Sequence, residues 1–222
     1  MNNTFILPIS KKYLRGLNIS FLGGPCSGKS FTAEILAAQE WARDEDGPTM
    51  AIKDMGAIMR GRSSANPEGF APLHTGGLVS SDIFLDVVDA EVTSAKKNNQ
   101  GIIFTGQPRK LAEAQYFFEH HYIDIVFYLS IAEETMRQRM MARILDTKRA
   151  DDEIEKFEQR LLEWQRHALS VMDFFLNHNV PIYTINANNP DRSRIDNEIN
   201  SLLYRHFLSW NCDQISKKPE AS

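Results

Sequence analysis

The chain has 222 residues and 42% of them are hydrophobic, which suffices for one domain with its own core. Its net charge of -4, without a sustained run of Lys or Arg, excludes the basic footprint of a duplex nucleic-acid-binding protein. Two cysteines, Cys26 and Cys212, are too few for a disulfide framework, and no apolar run reaches the roughly 20 residues of a membrane span. We therefore expect a cytoplasmic protein that binds neither nucleic acid nor membranes.

Short apolar runs of strand length alternate with longer segments of helical spacing along the chain. The predicted strands are 17–22, 49–52, 102–104, 123–129 and 181–185. The predicted helices are 29–43, 81–97, 110–120, 132–145, 152–177 and 191–208, with Asp152 and Glu155 as a capping box for the longest. This alternation predicts an α/β fold in which a parallel five-stranded sheet is flanked by helices.

The remaining segments are irregular in sequence. Residues 61–77 are rich in Pro and Gly, so we expect a mobile surface excursion there without a long helix or strand. We expect residues 1–16 and 209–222 to be tails. A single domain is thus predicted over residues 17–208.

The sequence GGPCSGKS at residues 23–30 fits the pattern G-x-x-x-x-G-K-[ST], which cradles nucleotide phosphates. Glycines let backbone N–H groups converge on phosphate oxygens, and the following helix adds its positive end. The motif lies between a predicted strand and a predicted helix, which disfavours a chance match. The predicted nucleotide-binding residues are Gly23, Pro25, Cys26, Ser27, Gly28, Lys29 and Ser30.

Two of these residues have further predicted properties. Ser30 is the predicted ligand of a magnesium ion that accompanies ATP. Cys26 stands at a helix start, where a thiol can become acidic and reactive, or it is only a small residue in a tight loop.

Arginines are candidates for phosphoryl-transfer chemistry, which depends on positioning and on cationic donors. Arg139 and Arg143 are four residues apart and share a helix face, Arg149 precedes a helix, and Arg160 lies two turns into it. We expect Arg137, Arg166 and Arg205 to be solvated or in surface ion pairs. Spacing alone does not decide which of these arginines take part in phosphoryl transfer.

Six segments occur in the order of corresponding blocks in adenylate kinases and related nucleoside monophosphate kinases. They are GGPCSGKSFTAEILA, DMGAIMR, GGLVSSDIFLDVV, GQPRKLAEA, RQRMMAR and RADDEIEKFEQRL. The resemblance extends over residues 17–208 and implies a P-loop sheet domain with an acceptor-binding insertion at about 56–77. It also implies transfer of the ATP γ-phosphate to a nucleoside monophosphate, AMP by resemblance, with Mg²⁺. We expect a monomer.

The resemblance also assigns roles to individual residues. Arg60 and Arg109 match arginines that hold the acceptor phosphate, and Arg139 matches the one that lies over the donor adenine. Arg143, Arg149 and Arg160 match the cluster that clamps the phosphates, so that catalysis would fall to Lys29, Arg109, Arg143, Arg149 and Arg160. Pro190, in the loop 188–190, would flank the donor base. The remaining implied acceptor-binding residues are Gly56, Val79, Gly106 and Glu113.

The chain departs from the family pattern at several positions. Only ILDTK, residues 144–148, stands between Arg143 and Arg149, so the chain resembles the short-lid forms. Thr105 replaces an aspartate that helps to hold the water shell of magnesium. Glu113 replaces a glutamine that contacts the adenine, and Met55 replaces a threonine. Glu113 would then read the acceptor base, or it turns outward as a solvated helix residue and base choice falls to backbone groups near Val79. These departures concern metal binding and base choice.

Three functions follow from this sequence. The first is an active nucleoside monophosphate kinase. The second is a nucleotide-binding protein with weak or lost phosphoryl transfer, acting in regulation or partner binding. Thr105 favours this second function. The third is a P-loop kinase for another small acceptor, which Arg60 and Arg109 disfavour because together they suit a phosphate on the acceptor.

Overall fold

The computed structural model describes residues 9–45, 47–65, 70–75, 77–147, 153–189 and 191–216. Its helices are α1 Lys11–Arg15, α2 Lys29–Ala38, α3 Met55–Ala65, α4 Ser81–Lys97, α5 Leu111–Glu119, α6 Glu133–Thr147, α7 Ile154–Asn177 and α8 Arg192–Ser216. Its strands are β1 Asn18–Leu22, β2 Arg43–Asp44, β3 Gly47–Pro48, β4 Met50–Lys53, β5 Gly101–Thr105, β6 Ile125–Ser130 and β7 Ile182–Asn186. Short 3₁₀ helices occur at Glu40–Ala42 and Ala71–Thr75.

Five strands form one parallel sheet in the order β4-β5-β1-β6-β7, while β2 and β3 form a separate antiparallel pair. The predicted α/β fold with a five-stranded parallel sheet is confirmed. Because β1 is central, the loop that follows it opens at the middle of the carboxyl edge. Ligands of open α/β sheets bind at this edge.

Helices cover both faces of the sheet, and the alternation of side chains along β5 explains why. Ile103 packs into one core cluster with Leu36 of α2 and Leu203 of α8. Its neighbour Phe104 packs into the other cluster with Phe117 of α5. Successive residues of a strand face opposite sides, so a strand that is apolar at every position needs cover on both.

The tails predicted at 1–16 and 209–222 are wrong where the structure describes them. Tyr13 and Leu14 of α1 are buried, and the Tyr13 hydroxyl lies 2.5 Å from Nδ1 of His206 in α8. The Tyr13 ring also lies 5.0 Å from that of Trp210. This aromatic contact attaches residues 9–16 to α8, which continues to Ser216.

Other boundaries differ from prediction for local reasons. Helix α3 runs to Ala65 and so enters the segment 61–77, where no long helix was expected; Met55 and Met59, one turn apart, are both buried and anchor it. The helix predicted over 29–43 ends at Ala38. Residues 144–147 of the predicted lid loop are the last residues of α6. Asp152 lies outside the described residues.

No helix within the described ranges is long and apolar enough to cross a membrane.

Candidate active site

The loop 23–28 connects β1 to α2 and adopts the backbone that a phosphate cradle requires. Gly28 has φ +96°, a left-handed conformation that glycine adopts without steric cost, and directly precedes α2. Cys26 also has a positive φ of 59°. The N–H groups at the start of α2 have no helical acceptors, so this loop offers donors to an anion.

The ammonium group of Lys29 lies within this loop. Its Nζ donates to the carbonyl oxygens of Gly23 at 2.9 Å and Gly24 at 2.7 Å, and to Ser27 Oγ at 3.1 Å. Burial, together with the positive charge of Arg109, lowers the pKa of Lys29 from 10.5 to about 7. A phosphate bound in this loop would favour the charged form of Lys29 and so raise its pKa again.

Ser30, the second residue of α2, is paired with an aspartate that the sequence motifs did not single out. Ser30 Oγ donates to Oδ2 of Asp54 at 2.9 Å, and Asp54 directly follows β4. The other carboxylate oxygen, Oδ1, accepts the Ala57 N–H at 3.0 Å in the first turn of α3. Asp54 is thus fixed beside the phosphate cradle at the same edge of the sheet.

Arg109 lies three residues beyond Gly106, which follows β5, and is directed back to the sheet edge. Its Nε donates to the Gly106 carbonyl at 3.0 Å. Gly106 has φ +75°, and a Cβ there would lie 3.1 Å from Lys29 Cε and 3.7 Å from Arg109 Nη2. The close approach of Lys29 and Arg109 therefore depends on a residue without a side chain.

Arg60 of α3 converges on the same point. A methyl group built on Gly56 would lie 3.3 Å from Arg60 Nη1 and 3.8 Å from Arg109 Nη2. The same position is 3.2 Å from Asp54 Oδ1. Two guanidinium groups thus lie around Gly56, as a site for an acceptor phosphate requires.

Arg139 of α6 joins two loops at the carboxyl edge. Its Nη1 lies 3.4 Å from the carbonyl oxygens of Cys26 and Ser27, and its Nη2 donates to the Ala187 carbonyl at 2.7 Å. Ala187 follows β7, so Arg139 connects the phosphate cradle to the loop predicted to flank the donor base.

These groups line one cavity of about 350 Å³. Its size and its mixed polar and apolar walls are those of a small-molecule site. The structure brings 13 predicted residues to its walls: Gly23, Pro25, Cys26, Gly28, Lys29, Ser30, Gly56, Arg60, Gly106, Arg109, Arg139, Arg143 and Arg160. Arg149 and Pro190 lie outside the described residues.

Glu113 is placed differently from the expectation that it contacts the acceptor base. Its side chain is 3% exposed and Oε2 accepts the backbone N–H groups of Arg109 at 2.7 Å and Lys110 at 3.3 Å. It does not line the cavity. Glu113 occupies the third position of α5, where a carboxylate caps the helix start, and this capping role corrects the base-contacting one.

Val79 and Ser27 also lie behind the cavity wall. The Val79 carbonyl accepts a hydrogen bond from the Lys110 ammonium group at 2.8 Å. The neighbouring residue Leu78 lines the cavity instead of Val79. Ser27 is fully buried and contacts Lys29 through its hydroxyl. The structure therefore gives these two residues positions next to the site rather than in its wall.

Sequence reasoning missed three residues around the P-loop and the cavity. Asp54 carried a signal, an acidic residue two positions after the predicted strand 49–52 at the ligand-binding edge. Arg192 of α8 donates to Thr32 and lies over the ring of Phe31, with 5.0 Å from its Cζ to the ring centroid. Trp164 of α7 contributes an apolar wall. Arg137 forms the expected surface ion pairs, with Glu133 and Glu158.

A family model described as "AAA domain" matches residues 22–158, more than half of the chain. The chain belongs to this AAA-domain family. The match begins at Leu22, the last residue of β1. It covers the phosphate cradle, Arg60, Arg109 and the arginines of α6.

Among known proteins, this AAA-domain chain is similar to adenylate kinases. It is 28% identical over 167 residues to adenylate kinase isoenzyme 1 of Caenorhabditis elegans, covering 72% of this chain and 76% of the worm protein. It is 29% identical over 170 residues to adenylate kinase of Porphyromonas gingivalis, covering 74% and 84% of the two chains. The resemblance to the adenylate kinase family is confirmed, and it supports a nucleoside monophosphate kinase.

Proposed function

We propose that this protein transfers the γ-phosphate of ATP to a nucleoside monophosphate, with AMP as the acceptor that the resemblance favours. The observation that carries the proposal is the convergence of Lys29, Arg60 and Arg109 around Gly56 and Gly106. Lys29 belongs to the cradle for a donor nucleotide, whereas Arg60 and Arg109 lie next to it around Gly56 and can hold a second phosphate, that of an acceptor.

In this mechanism the ATP phosphates lie on the N–H groups at the start of α2, and Lys29 leaves the loop carbonyls to bind them. The acceptor phosphate lies between Arg60 and Arg109, which hold it in line with the donor. The phosphoryl group in transfer spreads its charge over several oxygens, and rigid cationic donors stabilise that charge. Arg143 and Arg160 also line the cavity and would supply such donors, with Arg149 as a third member by resemblance.

Magnesium fits this site through oxygen groups of the chain. Among the described residues no group of three His, Cys, Asp or Glu side chains is placed to hold a metal ion by itself. The hydroxyl of Ser30 and the carboxylate of Asp54, 2.9 Å apart, are instead the kind of partial set that magnesium uses together with nucleotide phosphates. When bound with ATP, Mg²⁺ neutralises phosphate charge.

One observation favours the second candidate, a nucleotide-binding protein with weak or lost transfer. Thr105 stands where the family has an aspartate, and its buried hydroxyl has no hydrogen-bond partner in the described part of the chain. The two candidates differ in turnover and agree in nucleotide binding.

The test is a coupled assay of ADP formation from ATP with AMP, GMP, CMP and UMP as separate acceptors. Lys29→Ala and Arg60→Ala serve as matched variants, since the first removes the donor contact and the second an acceptor contact. We expect turnover with at least one acceptor and its loss in both variants. Nucleotide binding without turnover on any acceptor would support the second candidate.

A further inference from the structure

Asp54 is held in a fixed orientation beside the P-loop serine. Both of its oxygens are engaged, Oδ2 by the Ser30 hydroxyl at 2.9 Å and Oδ1 by the Ala57 N–H at 3.0 Å. A hydroxyl that donates its proton to a carboxylate keeps its lone pairs available for a metal ion. The Ser30–Asp54 pair is therefore oriented as a ligand together with the group that supports it.

The position of Asp54 in the sheet is next to that of Thr105. Lys53 of β4 pairs with Phe104 of β5, so Asp54 and Thr105 are the next residues of two neighbouring strands at the carboxyl edge, and both line the cavity. Thr105 is 4% exposed, lines the cavity and has an Oγ1 without a partner in the ranges that the structure describes. A neutral, unsatisfied hydroxyl thus adjoins a carboxylate that already contacts Ser30.

The charge around the cavity is mainly positive, which disfavours a divalent cation unless a carboxylate is present. In the described part of the chain, the cavity wall carries Lys29 and five arginines, Arg60, Arg109, Arg139, Arg143 and Arg160, which repel a cation. Among the residues that the structure describes, its acidic side chains are those of Asp54 and Glu163, and Glu163 forms an ion pair with Arg166 at 3.0 Å. Asp54 is the carboxylate placed at Ser30.

We propose that Asp54, at the end of β4, supplies the carboxylate for the Mg²⁺ of the bound nucleotide, in place of an acidic residue at Thr105. The proposal rests on the proposed function, because it concerns the metal that accompanies ATP. Asp54 accepts a hydrogen bond from Ser30 and would act as a positioning residue that also accepts hydrogen bonds from metal-bound water. The acidic group would then stand at the end of β4 instead of β5, at the same edge of the sheet.

The experiment is calorimetric binding of a non-hydrolysable ATP analogue, in Mg²⁺ and in EDTA, to the wild-type protein and to Asp54→Asn. Asparagine retains an oxygen for the Ala57 N–H, so α3 keeps its cap. We expect the variant to lose about tenfold or more of the affinity in Mg²⁺, the range for groups that support metal ligands. In EDTA it should bind as tightly as the wild type or more tightly, since a negative charge near the phosphates is gone.

Three further variants complete the design. The Mg²⁺ effect is the ratio of the analogue affinity in Mg²⁺ to that in EDTA. Thr105→Asp in the Asp54→Asn background should restore this ratio. Thr105→Asp alone should change it less than about twofold, because Asp54 already supplies a carboxylate for the metal. Asp82→Asn removes an exposed carboxylate of α4 outside the cavity and should change neither affinity.

The outcomes separate this inference from the proposed function. An Asp54→Asn protein with an unchanged Mg²⁺ effect, or one weakened equally in Mg²⁺ and EDTA, overturns the role of Asp54 and leaves the kinase proposal intact. A large gain from Thr105→Asp alone overturns it as well, without requiring that Asp54→Asn fold. A wild-type protein that binds no analogue in either condition contradicts the proposed function itself.

Discussion

ATP binding should be coupled to proton uptake by Lys29. In the free protein the pKa of Lys29 is lowered to about 7 by burial and by the charge of Arg109. A phosphate at the cradle favours the ammonium form and restores the pKa towards its ordinary 10.5. Binding should therefore take up about 0.9 proton at pH 8 and about 0.1 proton at pH 6. Nucleotide affinity should therefore weaken about tenfold as the pH rises from 6 to 8.

Isothermal titration calorimetry in two buffers of different ionisation enthalpy measures this uptake directly. The control is Lys29→Arg, whose guanidinium stays charged throughout the range, so that binding to it should take up almost no proton. An affinity that is constant from pH 6 to pH 8, or uptake that is equal in the two proteins, would refute the assignment of the proton to Lys29.

The same pKa has a consequence for the stability of the free protein. The unfolded chain holds Lys29 at its ordinary pKa of 10.5, while the folded chain holds it at about 7. Between these values the unfolded state binds more protons, so this group makes the folded state more stable as the pH rises. The measurement is the free energy of unfolding in denaturant, taken for the wild type and for Lys29→Met at pH values between about 7 and 10.5. This free energy should rise with pH more steeply in the wild type than in Lys29→Met.

Other substitutions test individual contacts. Arg109→Ala should lower kcat/KM for the acceptor by about tenfold or more, from loss of a charge-assisted contact of roughly 1.5–3 kcal/mol, while Arg137→Ala leaves it unchanged. Gly106→Ala should lower the free energy of unfolding by about 1–2 kcal/mol because of its φ, whereas Gly61→Ala, where a methyl meets nothing within 4 Å, should not. Glu113→Gln should destabilise by about 1 kcal/mol in denaturant and keep the AMP to GMP ratio of kcat/KM; a changed ratio would restore its base-contacting role.

The phosphate cradle was predictable because its determinants are local. A buried strand, a loop with glycines at fixed positions and a helix that starts at Lys29 specify one another within 22 residues, from Asn18 to Gln39. The parallel sheet followed from short, mostly apolar strands that are separated by helices. Both predictions used spacing that the sequence displays directly.

Long-range contacts account for what sequence reasoning missed. The burial of Tyr13 depends on His206 and Trp210, which are almost the whole chain away, so its segment looked like a tail. The role of Asp54 depends on the pairing of β4 with β5, which places it beside Thr105.

Glu113 was misassigned even though a local signal existed. A glutamate at the third helical position is typical of a capping carboxylate, and this signal outweighs the family position once the start of α5 is known. The resemblance indicated a position in the family alignment, whereas the helix start determines where the side chain points.

The most direct test of phosphoryl transfer follows the γ-phosphate itself. The protein is incubated with ATP labelled at that phosphate and with AMP, and the labelled products are separated by anion-exchange chromatography. We expect the label in the ADP formed from AMP, in amounts equal to the ATP consumed, and its absence from that product with Lys29→Ala. Label that appears only as inorganic phosphate, or that remains in ATP, would contradict transfer to AMP, and the same result with GMP, CMP and UMP would contradict transfer to a nucleoside monophosphate.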